Sequence, residues 1–232
     1  MEADPLALLT EGTIELVGRV AGSSNLTFVV GLTLGDDYAW AIYKPELGER
    51  PLADFERGLH GRERAAHLLS TWLGWDLVPA TVVRADAPMG LGSLQWFVEG
   101  NQAEHHFTLV RDEAHHDALR RIAVFDVVTN NTDRKSGHVL LGEDGRIWAI
   151  DHGLCFSVHA RLRTVIWEFG GDPLPADVRP GLERLAGGVP DDVAALLSPR
   201  EVAALRVRAA RLLDAGVLPV DETGWGYPWP LV

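Results

Sequence analysis

The sequence predicts an α+β protein of two lobes: a β-rich N-terminal lobe over residues 1–100 and a mainly helical C-terminal lobe over 101–232. Three observations favour this class. Runs rich in β-branched and aromatic residues cluster in the first part of the chain. Apolar residues with helical spacing dominate from about residue 115 onward. Between them lies the short polar segment 99–101, which suits a linker.

The N-terminal lobe is expected to hold five strands and one helix. Segments rich in Gly, Ser, Asn and Asp separate its first three strands, as in a β-meander. Pro45 ends the third strand because proline has no N–H for the ladder. Gly74 suits the C-terminal cap of the helix. In chain order we expect strands over 13–20, 26–34 and 38–44, a helix over 61–73, and strands over 79–84 and 94–98.

The C-terminal lobe begins with a predicted helix over 117–129, whose apolar residues follow a helical period. A short strand pair, 139–141 and 147–150, flanks a turn. Ser198-Pro199-Arg200-Glu201 is a capping box with proline at the first helical position, so it predicts a helix that runs to Gly216.

Composition excludes several classes of function. The chain carries 33 acidic and 21 basic residues, a net charge of −12, which repels nucleic acid and anionic bilayers. The single cysteine, Cys155, excludes an intramolecular disulfide and fits a reducing compartment. We see neither a signal peptide nor a membrane-spanning run, so we expect a cytoplasmic protein without integral membrane association.

Lysine is rare in this chain. Only Lys44 and Lys135 are lysines among the 21 basic residues; the other 19 are arginines. Since a compact, movable ammonium differs from a planar guanidinium, these two positions are candidates for function.

Three side chains of the types that ligate metals are expected at one edge of a cleft. Asp133 and His138 lie in a polar loop between a helix and a strand, and Asp151 ends a buried strand. Phosphoryl transfer requires groups that orient an acceptor hydroxyl and hold Mg²⁺ against phosphates. The alternative is that each aspartate only caps a local turn.

These residues lie in a pattern that resembles the phosphatidylinositol 3- and 4-kinase superfamily. The similarity is greatest to the type II phosphatidylinositol 4-kinases and to a small actinobacterial kinase-related family, and more distant to HipA-like kinases. It covers roughly residues 12–160. The matching stretches are Gly22-Ser23-Ser24 with Phe28-Val29-Val30, Tyr43-Lys44-Pro45, Asn131-Thr132-Asp133-Arg134 and Ile150-Asp151-His152-Gly153-Leu154.

The resemblance implies a kinase-like fold with ATP between the lobes. Lys44 would contact the phosphates and Glu63 would hold it in place; a solvated helix glutamate is the alternative for Glu63. The turn over the phosphates could also be an ordinary hairpin turn. The implied ATP-binding residues are Gly22, Ser23, Ser24, Asn25, Lys44 and Glu63, with Gln95, Phe97 and Val98 in the hinge.

The resemblance also implies the catalytic and metal-binding residues. Asp133 would orient the acceptor hydroxyl and Asp151 would bind Mg²⁺. His138 stands where the family usually has asparagine, and an imidazole suits Mn²⁺ better than Mg²⁺. Lys135 would neutralise the transferring phosphoryl group or remain a solvated loop lysine. Arg161 and Arg163 would bind an anionic group of the acceptor, or only balance local charge.

The sequence therefore predicts an ATP-dependent kinase acting on a hydroxyl of a protein, a small molecule or an inositol lipid. Two alternatives remain open: a nucleotide-binding pseudokinase that serves as a scaffold, and a kinase-like enzyme that transfers AMP. A transition-metal site at the paired histidines 105–106 and 115–116 is a further alternative to surface histidines beside a helix start.

Overall fold

The computed structural model describes residues 4–101 and 103–231. Its N-terminal lobe is built on a five-stranded antiparallel sheet of order β1-β2-β3-β5-β4, and a second, two-stranded sheet pairs β6 with β7. The strands are β1 Thr13–Arg19, β2 Phe28–Leu34, β3 Asp37–Pro45, β4 Thr81–Arg84, β5 Gly92–Trp96, β6 Val139–Leu141 and β7 Ile147–Ala149.

Seven α-helices accompany these sheets within the described residues, and three short 3₁₀ segments lie at Glu46–Gly48, Glu113–His115 and Ser136–His138. The α-helices are α1 Pro5–Glu11, α2 Leu59–Leu73, α3 His106–Leu109, α4 His116–Thr129, α5 Arg179–Gly187, α6 Asp191–Ala194 and α7 Pro199–Ala215. None of them is long and apolar enough to cross a membrane.

The two faces of the large sheet have different partners. One face packs on α1 in a small core that contains Leu8, Leu9, Val30 and Leu94, each at most 1% exposed. Side chains alternate along a strand, so residues next to these core positions face the other way. Lys44 and Ser93, opposite each other in the β3–β5 register, line the cleft on that second face.

Helix α2 joins the lobes. Its residues Ala65, Ala66, Leu69 and Leu73 belong to the large core of the C-terminal lobe, together with α4, α5 and α7. The same helix also contacts β4 and β5 of the sheet. A helix buried against both lobes holds its side chains at a fixed place in the cleft between them. Cys155, a free thiol, is buried in the same large core.

The predicted fold class is confirmed, and every predicted strand and helix is present. Helix α2 begins two residues earlier than predicted, because the Glu49 carboxylate accepts hydrogen bonds from the Gly58 and Leu59 amides at 2.9 and 2.8 Å. Helices α1, α3, α5 and α6 were not individually predicted. Helix α1 has only seven residues, and the Asp4 carboxylate caps it by accepting from the Leu6 amide at 3.0 Å. The lobe boundary at residues 100 and 101 stays a prediction.

Candidate active site

A cavity of about 230 Å³ lies in the cleft, and we call it the charged cavity. Five segments that are distant in the sequence meet here: the β1–β2 turn, the end of β3, helix α2, and two loops of the C-terminal lobe. Its lining includes Gly22, Ser23, Ser24, Asn25, Thr27, Lys44, Glu49, His60, Glu63, Ser93, Asp133, Lys135, His138, Asp151, Gly153 and Leu154.

Lys44, at the end of β3, is the central cation of the charged cavity. Its Nζ lies 2.5 Å from Glu63 Oε1 on α2 and 2.8 Å from Asp151 Oδ1. Burial opposes the charge of Lys44, but the carboxylates of Asp151 and Glu63 outweigh it and raise the pKa of the ammonium. The lysine is therefore a permanent cation, and 24% of its side chain remains exposed to the cavity.

Glu63 is 3% exposed, so the alternative of a solvated glutamate is wrong. Its Oε1 pairs with Lys44, and its Oε2 accepts a hydrogen bond from the His152 amide at 3.0 Å. One carboxylate thus links the lysine of the N-terminal lobe to the main chain next to Asp151. This fixes both lobes around the cavity.

Asp151 and His138 bring two donor atoms together at the C-terminal wall. His138 Nε2 lies 3.2 Å from Asp151 Oδ2. His138 Nδ1 lies 3.1 Å from the Asp133 carbonyl oxygen and 3.4 Å from the Lys135 amide nitrogen, so the main chain of its own loop holds the ring in place. Burial lowers the pKa of His138 to about 4, so its imidazole is neutral at pH 7. Burial opposes the charge of Asp151, but Lys44 and His138 hold the pKa of this carboxyl below its usual range.

Asp133 projects from the loop that follows α4. Its amide donates to Asn131 Oδ1 at 2.9 Å, which closes a tight turn, and its Oδ2 lies 3.3 Å from Lys135 Nζ. Burial and the neighbouring Asp151 carboxylate raise the pKa of Asp133. The structure thus places Asp133 and Lys135, both predicted from the sequence, in the same cavity as Lys44 and Asp151.

The β1–β2 turn forms the opposite wall. Gly22 has φ +77°, a left-handed conformation that side chains rarely adopt. Ser23 Oγ hydrogen-bonds Thr27 Oγ1 at 2.7 Å, and Asn25 Oδ1 accepts from the Arg50 amide at 3.0 Å. The turn is held by its own side chains and presents small polar residues to Lys44.

The predicted hinge residues lie apart from the charged cavity. Gln95 is buried in β5, where its Nε2 donates to Thr81 Oγ1 at 2.9 Å. Phe97 and Val98 line a second, larger cavity of about 480 Å³, which we call the aromatic cavity. Its walls are Tyr38, Trp40, Trp96, Phe97, Val98, Glu99, Gly142, Glu143, Asp144 and Trp148. Gln95 therefore supports β4 from within the sheet and lines neither cavity.

The two predicted acceptor arginines do not line the charged cavity. Arg161 pairs with Asp54 of the N-terminal lobe, on the surface. The main chain of Arg163 forms two hydrogen bonds with the loop of Asp133. The Arg163 carbonyl accepts from the Arg134 amide at 3.0 Å, and the Arg163 amide donates to the Asn131 carbonyl at 2.9 Å.

The paired histidines form no metal site. His106 is fully buried and its Nε2 lies 3.0 Å from Glu168 Oε1, so it is not the surface residue that the sequence suggested. The Nε2 of His116 lies 2.8 Å from the Val110 carbonyl oxygen. Across residues 4–101 and 103–231, no group of three or more His, Cys, Asp or Glu residues forms a ready-made metal site.

Several residues that border the two cavities were not predicted from the sequence, among them His60 and Ser93 of the charged cavity. Glu49 lies in the charged cavity and also caps α2. Trp40 and Trp148 reach the aromatic cavity from opposite lobes. Every second side chain of β3 faces the same side of the sheet, so Trp40 shares a face with Ile42 and Lys44. The strand pattern could therefore have placed Trp40 on the cleft face.

Comparison with known proteins assigns the family. The family model "Phosphatidylinositol 3- and 4-kinase" matches residues 62–176, which include Glu63, Asp133 and Asp151. The chain belongs to the phosphatidylinositol 3- and 4-kinase-like superfamily. A relative in Mycobacterium tuberculosis, Protein Rv2133c, is 38% identical over an alignment of 265 positions that covers 98% of this chain and 95% of the relative.

Solved structures support the same fold for this member of the superfamily. A hydra Fam20 structure with sugar superposes with a TM-score of 0.61 at 14% identity, covering 90% of this chain and 86% of the other. The Helicobacter pylori proinflammatory kinase CtkA gives a TM-score of 0.50 at 13% identity, covering 90% and 94%. At such low identity these likenesses concern the fold alone. A particular nearness to type II phosphatidylinositol 4-kinases stays a prediction.

Proposed function

We propose that this chain transfers the γ-phosphoryl group of ATP to a hydroxyl group. The family and the fold support a kinase-type phosphotransferase. The observation that carries the proposal is the position of Lys44, which faces the Gly22–Asn25 turn across a cavity that also holds Asp133 and Asp151. A cation and main-chain N–H groups on opposite walls suit the phosphates of a nucleotide.

The aromatic cavity is the proposed site for the base. It lies beside Phe97 and Val98, where the chain passes from β5 toward the C-terminal lobe. Trp40 and Trp148 approach it from the two lobes, and flat aromatic surfaces favour a planar heterocycle. The phosphates would then extend toward Lys44.

The donor atoms of Asp151 and His138 fit a divalent cation. Asp151 Oδ2 and His138 Nε2, an anionic oxygen and an imidazole nitrogen, lie 3.2 Å apart at the wall of the charged cavity. Mg²⁺ commonly uses one or two carboxylates and takes its other ligands from phosphates and water. Asp151 and His138 would hold the cation, which supplies positive charge against the phosphates. The imidazole would also accommodate Mn²⁺.

Asp133 is the proposed base for the acceptor. Its raised pKa improves proton acceptance, since the pKa lies nearer to the working pH than that of an exposed aspartate. In the transfer step the acceptor oxygen forms a bond to the γ-phosphorus, the bond to the bridging oxygen breaks and ADP leaves. The acceptor proton passes to Asp133. Lys135, beside Asp133, would offset charge on the transferring group.

A nucleotide-binding pseudokinase is the second candidate. The observation that favours it is His138, because an imidazole replaces the usual asparagine next to Asp151. The acceptor itself is proposed only by class: a protein side chain, a small molecule or a lipid headgroup that carries a hydroxyl.

Labelled nucleotide tests this proposal. The protein is incubated with Mg²⁺ or Mn²⁺ and ATP labelled at either the γ- or the α-phosphate, alone and with a lysate of its own organism. We expect γ-label on an acceptor and none from α-label. Lys44→Met should remove the signal, whereas Asp86→Asn, at an exposed ion pair outside the cavity, should retain it. Binding of ATP without transfer would favour the pseudokinase, and α-label on the acceptor would indicate AMP transfer.

A further inference from the structure

A second charged cluster lies behind the charged cavity. Asp126 on α4 and Arg134, which follows Asp133, are both fully buried. Arg134 Nε lies 3.1 and 3.0 Å from the two Asp126 carboxylate oxygens, and Nη2 lies 2.9 Å from Oδ1. A buried ion pair is often no more stabilising than apolar residues of equal volume. Its contribution to stability therefore does not explain its presence.

The remaining donors of Arg134 reach the two loops that carry the functional side chains. Nη1 donates to the His138 carbonyl at 3.1 Å and to the Ile150 carbonyl at 2.6 Å. Nη2 donates to His152 Nε2 at 2.7 Å. Ile150 and His152 are the two neighbours of Asp151 in the chain. One guanidinium therefore connects the loop of Asp133 and His138 to both sides of Asp151.

We propose that Arg134 is a positioning residue that sets the separation of Asp133 from Asp151, and that Asp126 orients its guanidinium. The inference rests on the proposed phosphotransfer function. Arg134 does not line the charged cavity, so it acts through the two loops. Phosphoryl transfer depends on placing the acceptor and the phosphates in line, and small displacements are costly.

Only arginine can make this set of contacts. The planar guanidinium has five N–H donors in a fixed fork, and here they meet one carboxylate, two carbonyls and one imidazole. A lysine at position 134 would keep the charge near Asp126 but could not span these partners at once.

Arg134→Lys tests the inference, with Arg208→Lys as the matched control. Arg208 is a half-buried arginine that also donates to main-chain carbonyls, those of Val128 and Ser157, and it does not line the charged cavity. We expect kcat of the first variant to fall between about 10-fold and about 100-fold. Its KM for ATP should stay within about twofold and its thermal shift with nucleotide should persist. The control should keep its kcat. Equal loss of kcat in both variants, or no loss in Arg134→Lys, would overturn the inference.

Hydrogen exchange supplies a readout that does not use turnover. We expect faster exchange of the amides in 133–138 and 150–152 in Arg134→Lys, but not in Arg208→Lys; unchanged exchange there would contradict the positioning role. Asp126→Asn serves the same purpose if Arg134→Lys fails to fold. A wild-type protein that transfers no phosphate would count against the proposed function. Amide hydrogen exchange would still show whether Arg134 holds the two loops in place.

Discussion

Two charged clusters lie back to back in this molecule and differ in exposure and in the type of cation. Lys44 and its partners Glu63 and Asp151 border the charged cavity, where the Asp151 side chain is 45% exposed. Arg134 and Asp126 behind it are completely buried. Lys44 pairs with two carboxylates, so it can give up its contact with one of them when a ligand binds and still be paired with the other. The planar guanidinium of Arg134 has an acceptor near every N–H group and therefore holds a fixed geometry. We interpret the first cluster as the one that binds and reacts and the second as its support.

Asp133→Asn should have the largest effect on phosphoryl transfer while leaving the buried Arg134–Asp126 pair in place. It removes the proposed base but leaves the buried cluster intact. We expect kcat to fall by about 10²- to 10⁴-fold, the usual range for loss of a general base. Nucleotide binding, measured as a thermal shift, should be nearly unchanged, while the assay with γ-labelled ATP reports the loss of transfer. Equal loss of binding and transfer would mean that Asp133 holds the nucleotide instead.

Asp151→Ala should abolish the metal-dependent part of nucleotide binding. For the wild type, ligand at 100 times its Kd should add about 2.7 kcal/mol of stability, which a thermal shift detects. The variant should show no added shift when Mg²⁺ or Mn²⁺ accompanies ATP. A full wild-type shift would contradict a metal-binding role for Asp151.

His138→Asn should change how stability depends on pH. Burial lowers the pKa of His138 from 6.5 to about 4, so the unfolded chain binds more protons than the folded chain between these values. Stability then rises with pH through this window, because protonating the buried His138 costs the folded chain up to about 3 kcal/mol below it. The asparagine variant should have a shallower slope between pH 4 and 6.5 in urea unfolding. Burial also lowers the pKa values of His67 and His152, which contribute equally to the pH dependence of both proteins. If the free energy of unfolding changed with pH equally in the two proteins, the assignment to His138 would be wrong.

Glu49→Ala should have the smallest effect, because the hydrogen bonds that it removes are the two that cap α2. We expect a loss of about 1 kcal/mol in the free energy of unfolding, as for other N-terminal caps. Glu56→Ala, at an exposed acidic residue of the same loop, is the control and should change stability little. An equal effect of both substitutions would show that the charge of the loop, and not the cap, is responsible.

The sequence predicted the strands, the two long helices of the C-terminal lobe and most residues of the charged cavity. These have local signals: alternation along β3, the capping box before α7, the polar loop that holds Asp133, and the buried strand that Asp151 follows. Arg134 had no such signal, since its partners on α4, in its own loop and after β7 meet only in the folded chain. The same holds for Arg161, whose partner Asp54 lies 107 residues away. Gln95 was misplaced in the hinge because it lies within β5, where its side chain bonds Thr81 of the neighbouring strand β4.

A crystal structure with Mg²⁺ and a non-hydrolysable ATP analogue tests the central claim most directly. The account predicts phosphate oxygens within hydrogen-bond distance of Lys44 Nζ and of amides in the Gly22–Asn25 turn, with the cation on Asp151 and the base between Trp40 and Trp148. An analogue bound outside the cleft, or phosphates remote from Lys44, would contradict it.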